Sequence, residues 1–320
     1  MILAGDIGGT KTNLGLFHEQ QGKLVRVAHK RYPSRDYPGL EGAVTDFLRD
    51  NPAKITSAGF GIAGPVVNNA VRATNLPWVV DGAILSKHLA LDHVWLLNDL
   101  ESDAYGIGLM GPSDLLTINP GVPAPQAPQA VIAAGTGLGE AILFWDGQRH
   151  LALATEAGHA DFAPSTEQQC DLWKFLKARH EFVSVETILA GSGFQRVHEF
   201  LNPALRHPDF DAPGADSGPG ITERGLSGEC PVCAATLDLW FEIYGSEAGN
   251  LAVRTVARGG VYVAGGIAAK IMPKLKDNHF VAAAVRKEKM QAFVAQIPIH
   301  VVLNEDLALM GAAYIAWKRR

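Results

Sequence analysis

The chain has 320 residues, of which 47% are hydrophobic and 19% charged, and a formal net charge of −5 at pH 7. That length outgrows one compact core and predicts two domains. The acidic balance argues against a dedicated nucleic-acid surface, which needs a basic stripe to neutralise phosphates, although a local patch can survive an acidic total.

The N-terminal run Met1-Ile2-Leu3-Ala4-Gly5-Asp6 enters a short apolar strand at once. It has neither a cationic n-region nor a long apolar h-region, so it does not read as a secretory signal. No stretch of about 18 apolar residues is present to span a bilayer. Three cysteines give no disulfide framework. The expected compartment is the cytoplasm, with no membrane and no nucleic-acid partner.

In chain order, Ile2–Asp6 and Thr12–Phe17 read as strands on either side of Gly8-Gly9. Leu40, Val44, Phe47 and Leu48 recur at helical spacing within Pro38–Asn51. Ala58–Ile62 and Val94–Leu97 read as buried strands, with Ala83–Leu91 a helix between them. Glu101–Met110 is helix-like, and Asp99 could act as its N-cap. The segment Asn119–Pro128 carries four prolines and cannot be a regular element; its place is near a domain junction. Pro203–Gly220, rich in Pro, Asp and Gly, reads as an exposed irregular excursion. Near the C-terminus a buried strand, Val261–Ala264, meets Gly265-Gly266, and a helix-like run Ala268–Leu275 surrounds Pro273.

A faint internal repeat organises these elements. Leu3-Ala4-Gly5-Asp6-Ile7-Gly8-Gly9-Thr10 is a strand entering a glycine turn and followed by a strand. Val131-Ile132-Ala133-Ala134-Gly135-Thr136-Gly137-Leu138-Gly139 repeats the pattern, with Glu140–Trp145 as its second strand. Matching hairpins in the two halves predict two related α/β cores with a mixed sheet. Such duplicated cores are expected to create a cleft, where small ligands usually bind. A glycine turn lets backbone N–H groups approach an anion, and Thr10 or Thr136 adds a hydroxyl donor. Neither turn is a Walker A loop, because no Gly-Lys-Ser/Thr follows. Each turn taken alone could equally be a tight hairpin. Their duplication favours phosphate.

Asp6-Ile7-Gly8-Gly9-Thr10, Gly135-Thr136-Gly137 and Ala264-Gly265-Gly266 resemble, in order and rough spacing, the phosphate-1, phosphate-2 and adenosine motifs of the sugar kinase, actin and heat-shock ATPase superfamily. Further pieces make the chain similar to bacterial glucokinases of the non-repressor type along nearly its whole length. These are Asn75-Leu76-Pro77-Trp78, Leu97-Asn98-Asp99-Leu100, Glu156-Ala157-Gly158-His159 with its continuation to Pro164, and Val183-Ser184-Val185-Glu186-Thr187.

The resemblance implies a two-domain actin-like ATPase (ribonuclease H-like) α/β fold with duplicated cores and an interdomain cleft. Its domains are expected at 1–110 plus 300–320 and at 111–299. It implies ATP-dependent, Mg²⁺-assisted phosphorylation of glucose at the 6-hydroxyl, with a homodimer as the assembly. In that scheme Gly8, Gly9, Thr10, Gly135, Thr136 and Gly137 cradle phosphates, Gly265 and Gly266 flank the nucleoside, and Asp6 holds Mg²⁺. Asp99 is the base toward the sugar hydroxyl, and Asn75, Asn98, Glu156, His159 and Glu186 bind the sugar. Sugar binding is expected to draw the two halves together, keeping water from the phosphoryl group.

The chemistry agrees with these roles. A carboxylate at the end of a buried strand projects where open α/β sheets bind ligands. An ordinary Asp, with a pKa of about 3.9, is a weak base for an alcohol but orients its oxygen well. Carboxylates and an imidazole can pair sugar hydroxyls in fixed directions, a design that rejects analogues lacking them by roughly 10⁴-fold.

Plainer readings accompany each residue. Glu156 and His159 could be half a metal site, although no second ligand pair accompanies them. Glu186 could belong to a capping box after Ser184. Cys230-Pro231-Val232-Cys233 is half a zinc site or a redox pair, and with no second pair in the sequence it reads as two reduced structural thiols. Two departures from the family pattern are Ala157, where a second glycine is common, and Asn304-Glu305-Asp306, where proline is common. The start at the phosphate strand leaves no room for a helix-turn-helix and disfavours a DNA-binding regulator. A kinase of another hexose, a non-catalytic sensing module, and ADP or polyphosphate as donor remain the rival readings.

Overall fold

The structure is a computed structural model that describes residues 1–74, 76–205, 207 and 216–319. Contacts divide the chain into two compact units. The first is Met1–Gly111 with His150–Ala154 and Asn304–Arg320; the second is Pro112–Arg149 with Thr155–Leu303.

The first unit holds strands β1 (Ile2–Ile7), β2 (Lys11–Gln20), β3 (Lys23–Pro33), β4 (Ser57–Ile62), β5 (Ala70–Arg72), β6 (Val79–Asp81) and β7 (Val94–Asn98). Its main sheet runs β3-β2-β1-β4-β7. The hairpin strands pair antiparallel, whereas β1/β4 and β4/β7 are parallel. Every residue of β4 is buried, as expected of a central parallel strand covered on both faces. One face carries Leu40, Val44 and Phe47 of the helix Leu40–Asp50, the residues whose spacing predicted it. The other carries the C-terminal helix Leu307–Lys318, whose Leu309, Ala312, Ala313 and Ala316 cluster with Ile2, Ala4 and Phe17. Small residues dominate that seam, so helix and sheet approach closely.

The second unit contains β8 (Leu115–Asn119), β9 (Gln129–Ala134), β10 (Leu138–Trp145), β12 (Gly260–Ala264) and β13 (Ile299–Val302); of β11 (His150–Thr155) only Thr155 belongs to it. Here β10-β9-β12-β13-β8 follow one another. Again an antiparallel pair, β9/β10, flanks a glycine turn, and β12 and β13 continue it in parallel. The inferred repeat is therefore real at the level of topology: hairpin, then two parallel strands, in each unit. Helix Pro231–Thr255 supplies the aromatic centre of this core, with Trp240, Phe241 and Tyr244 all fully buried. Phe194 stacks on Trp240 with ring centroids 4.6 Å apart.

Three local expectations change. Ser217–Gly220 is not irregular: it opens the helix Ser217–Ser227, because the Asp216 side chain accepts the amide of Gly218 and caps it. Residue 206 and residues 208–215 of the expected excursion lie outside the described residues. The run around Pro273 is two short helices, Gly266–Lys270 and Met272–Lys276, broken at Ile271. Finally, Asn98 rather than Asp99 caps the helix Asp99–Ile107, its Oδ1 accepting the amides of Leu100 and Glu101. Among the described residues, no helix is long and apolar enough to cross a membrane.

One buried acid stands out in the second core. Glu140 on β10 is fully buried, and neither carboxyl oxygen has a hydrogen-bond partner among the described residues. Burial, and then the nearby Glu247 carboxylate, push its pKa to about 8 against the attraction of Arg254. The folded state thus holds the proton more tightly than the unfolded chain, whose ordinary value is 4.5. Stability falls as pH rises from about 4.5 to about 8, by up to about 1.4 kcal/mol per pH unit. Glu140→Gln cannot ionise, so its stability relative to wild type should climb over this window in denaturant titrations. Parallel pH profiles for the two proteins would refute the assignment.

Candidate active site

In the first unit the registers Ile7↔Ile62 and Ile62↔Asn98 bring the carboxyl ends of β1, β4 and β7 to one edge. Gly8, Gly9 and Thr10 form the turn from β1 into β2. The turn is held from behind: Gly8 N–H donates to Lys11 O at 2.9 Å, Ser34 Oγ donates to Gly8 O at 2.8 Å, and Ser34 N–H donates to Thr10 O at 3.0 Å. The amides of Gly9 and Thr10 donate to no described group. A bend whose carbonyls are satisfied and whose amides are not is an anion cradle.

Asp6, one residue before the end of β1, shares that edge with Asp99, the first residue of the helix after β7. Asn13 Nδ2 donates to Asp6 Oδ2 at 3.1 Å. Burial raises the Asp6 pKa to about 6 despite that hydrogen bond, and the Asp99 and Asp306 carboxylates add to the rise. Asp103, one helical turn beyond Asp99, is pushed well above the usual carboxylate range by burial and then by Asp6 and Asp99. Sequence reading missed Asp103. The signal was the i, i+4 spacing from Asp99, which puts both acids on one helix face.

An all-oxygen set whose members resist ionisation together suits a hard divalent cation such as Mg²⁺, which prefers carboxylates and water. Asn98 is largely committed to the scaffold, for besides its capping bonds its Nδ2 donates to Gly64 O at 3.1 Å. It positions Asp99 by fixing where the helix begins. Asn75 lies outside the described residues.

The second unit repeats the bend. Gly135 N–H donates to Gly137 O at 2.8 Å and Gly191 N–H donates to Gly135 O at 2.9 Å. The amides of Thr136 and Gly137 donate to no described group. Behind this bend stands Glu186, whose Oε2 accepts the Leu138 amide at 2.8 Å. A Cβ on Gly137 would lie 2.4 Å from that oxygen, so the glycine makes room for the carboxylate. The capping box of the helix Val185–Ile188 is made by Ser184 and Thr187, leaving Glu186 for this other role. Its second oxygen lies 3.9 Å from His159 Nδ1. His159 and Glu156 are both exposed, at the two ends of a short 3₁₀ turn. Glu186 and His159 thus face one another beside the second bend, while Asp99 shares its edge with the first.

Parallel pairing of β12 with β9 sets Gly265 and Gly266 at the same edge as Gly135–Gly137. Gly265 has φ +87°, and a Cβ there would lie 2.5 Å from Ala134 O, so only glycine fits. A cavity of about 550 Å³ opens beside these bends. Its lining adds Ser192, Gln195, Asp216, Ser217, Ile267 and Lys270, none of which sequence reading singled out. The helix Gly191–Leu201 begins at the cavity wall without a side-chain cap. An uncapped N-terminus of an 11-residue helix offers amides and a positive dipole end to an anion. The cavity, apolar-sided at Ile267 and anion-favouring at its glycine edge, fits a nucleotide in size and chemistry.

Two repeated hairpin-and-parallel-strand cores, each with an amide-bearing bend at its carboxyl edge, define an actin-like ATPase fold of two domains. The glucokinase family model matches residues 3–319, and the chain belongs to that family. It is 37% identical over 337 residues to a glucokinase of Nostoc sp. PCC 7120, covering 99% of this chain and 98% of that one. A glucokinase of Yersinia pestis is 34% identical, with 99% and 96% covered. Among solved structures, glucokinase from an Antarctic psychrotroph superposes with a TM-score of 0.88 at 28% identity, covering 99% and 98%.

Gly135 and Gly266 distinguish packing from ligand binding. Neither has positive φ, and a Cβ at either meets no atom within 4 Å. The protein itself does not require glycine at these two positions. Gly266→Leu should therefore leave the unfolding temperature nearly unchanged. It should weaken nucleotide binding at least about tenfold, the equivalent of about 1.4 kcal/mol of lost contact. Calorimetric titration with a non-hydrolysable ATP analogue reads this directly; unaltered affinity would remove Gly266 from the nucleotide site.

Proposed function

We propose that the chain transfers the γ-phosphoryl group of ATP to the 6-hydroxyl of glucose, with Asp99 as the residue that receives the hydroxyl proton. Membership of the glucokinase family supports the reaction class, and the site's own geometry supports the roles. The observation that carries the reading is the pair of bends, Gly8–Thr10 and Gly135–Gly137. Each keeps two amides uncommitted, and each stands beside side chains suited to a sugar or a base.

The residues divide the work. Amides of Gly9 and Thr10 in the first bend, and of Thr136 and Gly137 in the second, bind phosphate oxygens. The nucleoside occupies the cavity of the second unit, flanked by Gly265, Gly266 and Ile267. Asp6, with Asp103 adjoining, would hold Mg²⁺, and the bound ion would offset negative charge on the phosphate oxygens. Glu186, His159 and Glu156 pair sugar hydroxyls, Glu186 being anchored by the Leu138 amide so that one carboxylate oxygen remains directed at His159. Asn75 is proposed to bind the sugar as well. Asn98 sets the helix start that aims Asp99.

Asp99 accepts a hydrogen bond from the 6-hydroxyl, aligns its oxygen lone pair with phosphorus, and takes the proton as the new P–O bond forms. In a loose phosphoryl-transfer transition state the proton moves late, so alignment supplies most of the benefit.

Asp99→Asn should retain glucose affinity within a few-fold while kcat falls by about 10²-fold or more. A coupled ADP assay run with glucose, fructose, mannose and glucosamine reads both the variant and the acceptor range. Turnover close to wild type would remove Asp99 from the mechanism, and a clear preference for another hexose would reassign the substrate.

A further inference from the structure

Cys230 and Cys233 are the part of the sequence that the phosphoryl-transfer reading leaves unexplained. Read along the chain they are half of a site. The fold supplies the other half: His198 from the last turn of the helix Gly191–Leu201, and His207 from the connection that follows it. One ligand atom from each of His198, His207, Cys230 and Cys233 lies within 4.8 Å of all the others. We propose that these four side chains bind a single structural Zn²⁺ ion.

The geometry is close to that of an occupied site. With Zn–S of about 2.3 Å and Zn–N of about 2.0–2.1 Å, a tetrahedral centre separates sulfur from nitrogen by about 3.6 Å. Cys233 Sγ and His207 Nε2 are 3.6 Å apart. The Cys-x-x-Cys segment is also already folded as a ligand turn. Cys230 caps the helix Pro231–Thr255, and its Sγ accepts the Cys233 amide at 3.4 Å.

Burial adds the energetic reason. His198 and Cys233 are fully buried and Cys230 nearly so, in the same apolar cluster as Val197, Ile221 and Leu237. A buried imidazole, a half-buried one and two buried sulfurs converging beside an apolar cluster are costly as separate polar groups. Two thiolates and a divalent cation form a neutral unit that removes this cost, with imidazoles completing the shell. Soft sulfur with imidazole in a tetrahedral S₂N₂ set selects zinc over the hard cation suited to Asp6. Four protein ligands leave no open position, so the ion fastens structure and does no chemistry.

What it fastens is informative. His198 ends a helix whose first turn carries Gly191, Ser192 and Gln195 of the cavity wall. The cysteines begin the long core helix. Between them in the chain, Asp216 and Ser217 also line the cavity, and Gly225 of the helix they open sits where a Cβ would be 2.9 Å from Cys233 O. The ion would thus tie the helix Gly191–Leu201, which carries residues of the cavity wall, to the start of the helix Pro231–Thr255, against which the helix Ser217–Ser227 packs.

The test uses the untagged full-length chain, purified without chelator under reducing conditions. Elemental analysis should find about one zinc per chain, and stripping the metal should lower the unfolding temperature reversibly. Replacement by Co²⁺ should give the intense visible absorption and sulfur-to-metal charge-transfer band of a tetrahedral thiolate centre. Cys230→Ser, Cys233→Ser and His198→Gln should each abolish stoichiometric zinc, whereas Cys170→Ser, at the exposed third cysteine, should retain it. Should those variants not fold, the cobalt spectrum of the wild-type chain decides alone. Zinc below about one tenth of an equivalent together with a cobalt spectrum lacking thiolate bands would overturn the proposal. So would a Cys230–Cys233 disulfide in the freshly purified protein.

Discussion

The hydrogen bond from the Leu138 amide to Glu186 Oε2 is the contact on which the second half of the site turns. It closes the back of the Gly135–Gly137 bend, where the Thr136 and Gly137 amides donate to no described group. It also spends one carboxylate oxygen and holds the other within 3.9 Å of His159. A single side chain therefore links the backbone proposed to bind phosphate to the side chains proposed to bind sugar. Gly137 is the condition for it, since any Cβ there would occupy the space of the carboxylate. Preorganised donors of this kind act without rearranging during the reaction, which is where most electrostatic catalysis is found.

The first unit works by the opposite device. There the carboxylates of Asp6, Asp99 and Asp103 are kept near one another, and burial with mutual repulsion makes Asp6 and Asp103 reluctant to ionise. A cation held by Asp6 and Asp103, as proposed, would relieve that repulsion. Asn13 and Asn98 hold the strand and helix ends in place by neutral hydrogen bonds that add no charge. The two units share a topology yet carry different chemistry at the same edge. A hairpin and two parallel strands fix where a bend falls, and the residues after it determine what it does.

The proposed zinc centre and the buried Glu140 show two ways a core tolerates ionisable groups. His198, His207, Cys230 and Cys233 converge on a point where one ion satisfies all of them. Glu140 meets only another acid, Glu247, with Arg254 as partial compensation, and is driven toward its neutral form instead. Convergence distinguishes a site from a strained residue.

Much of this was legible in the residues themselves. Glycine bends after apolar strands, the short apolar runs that mark β1 and β9, and the helical spacing of Leu40, Val44 and Phe47 are local properties, set by steric and periodic rules acting over a few residues. They determined the duplicated α/β cores and the positions of Asp6, Asp99 and the phosphate-binding turns. Other features depended on contacts between residues far apart in the chain. Asp216 was read within an irregular stretch because capping depends on where one side chain points. Asn98, expected to bind sugar, is tied up by the helix it starts. The cavity walls at Ser192, Gln195 and Lys270, the reach of Glu186 to Leu138, and the meeting of His198 and His207 with the cysteine turn were decided only by tertiary structure. Helix packing sets which side chains share a volume, and no spacing along a sequence encodes that distance.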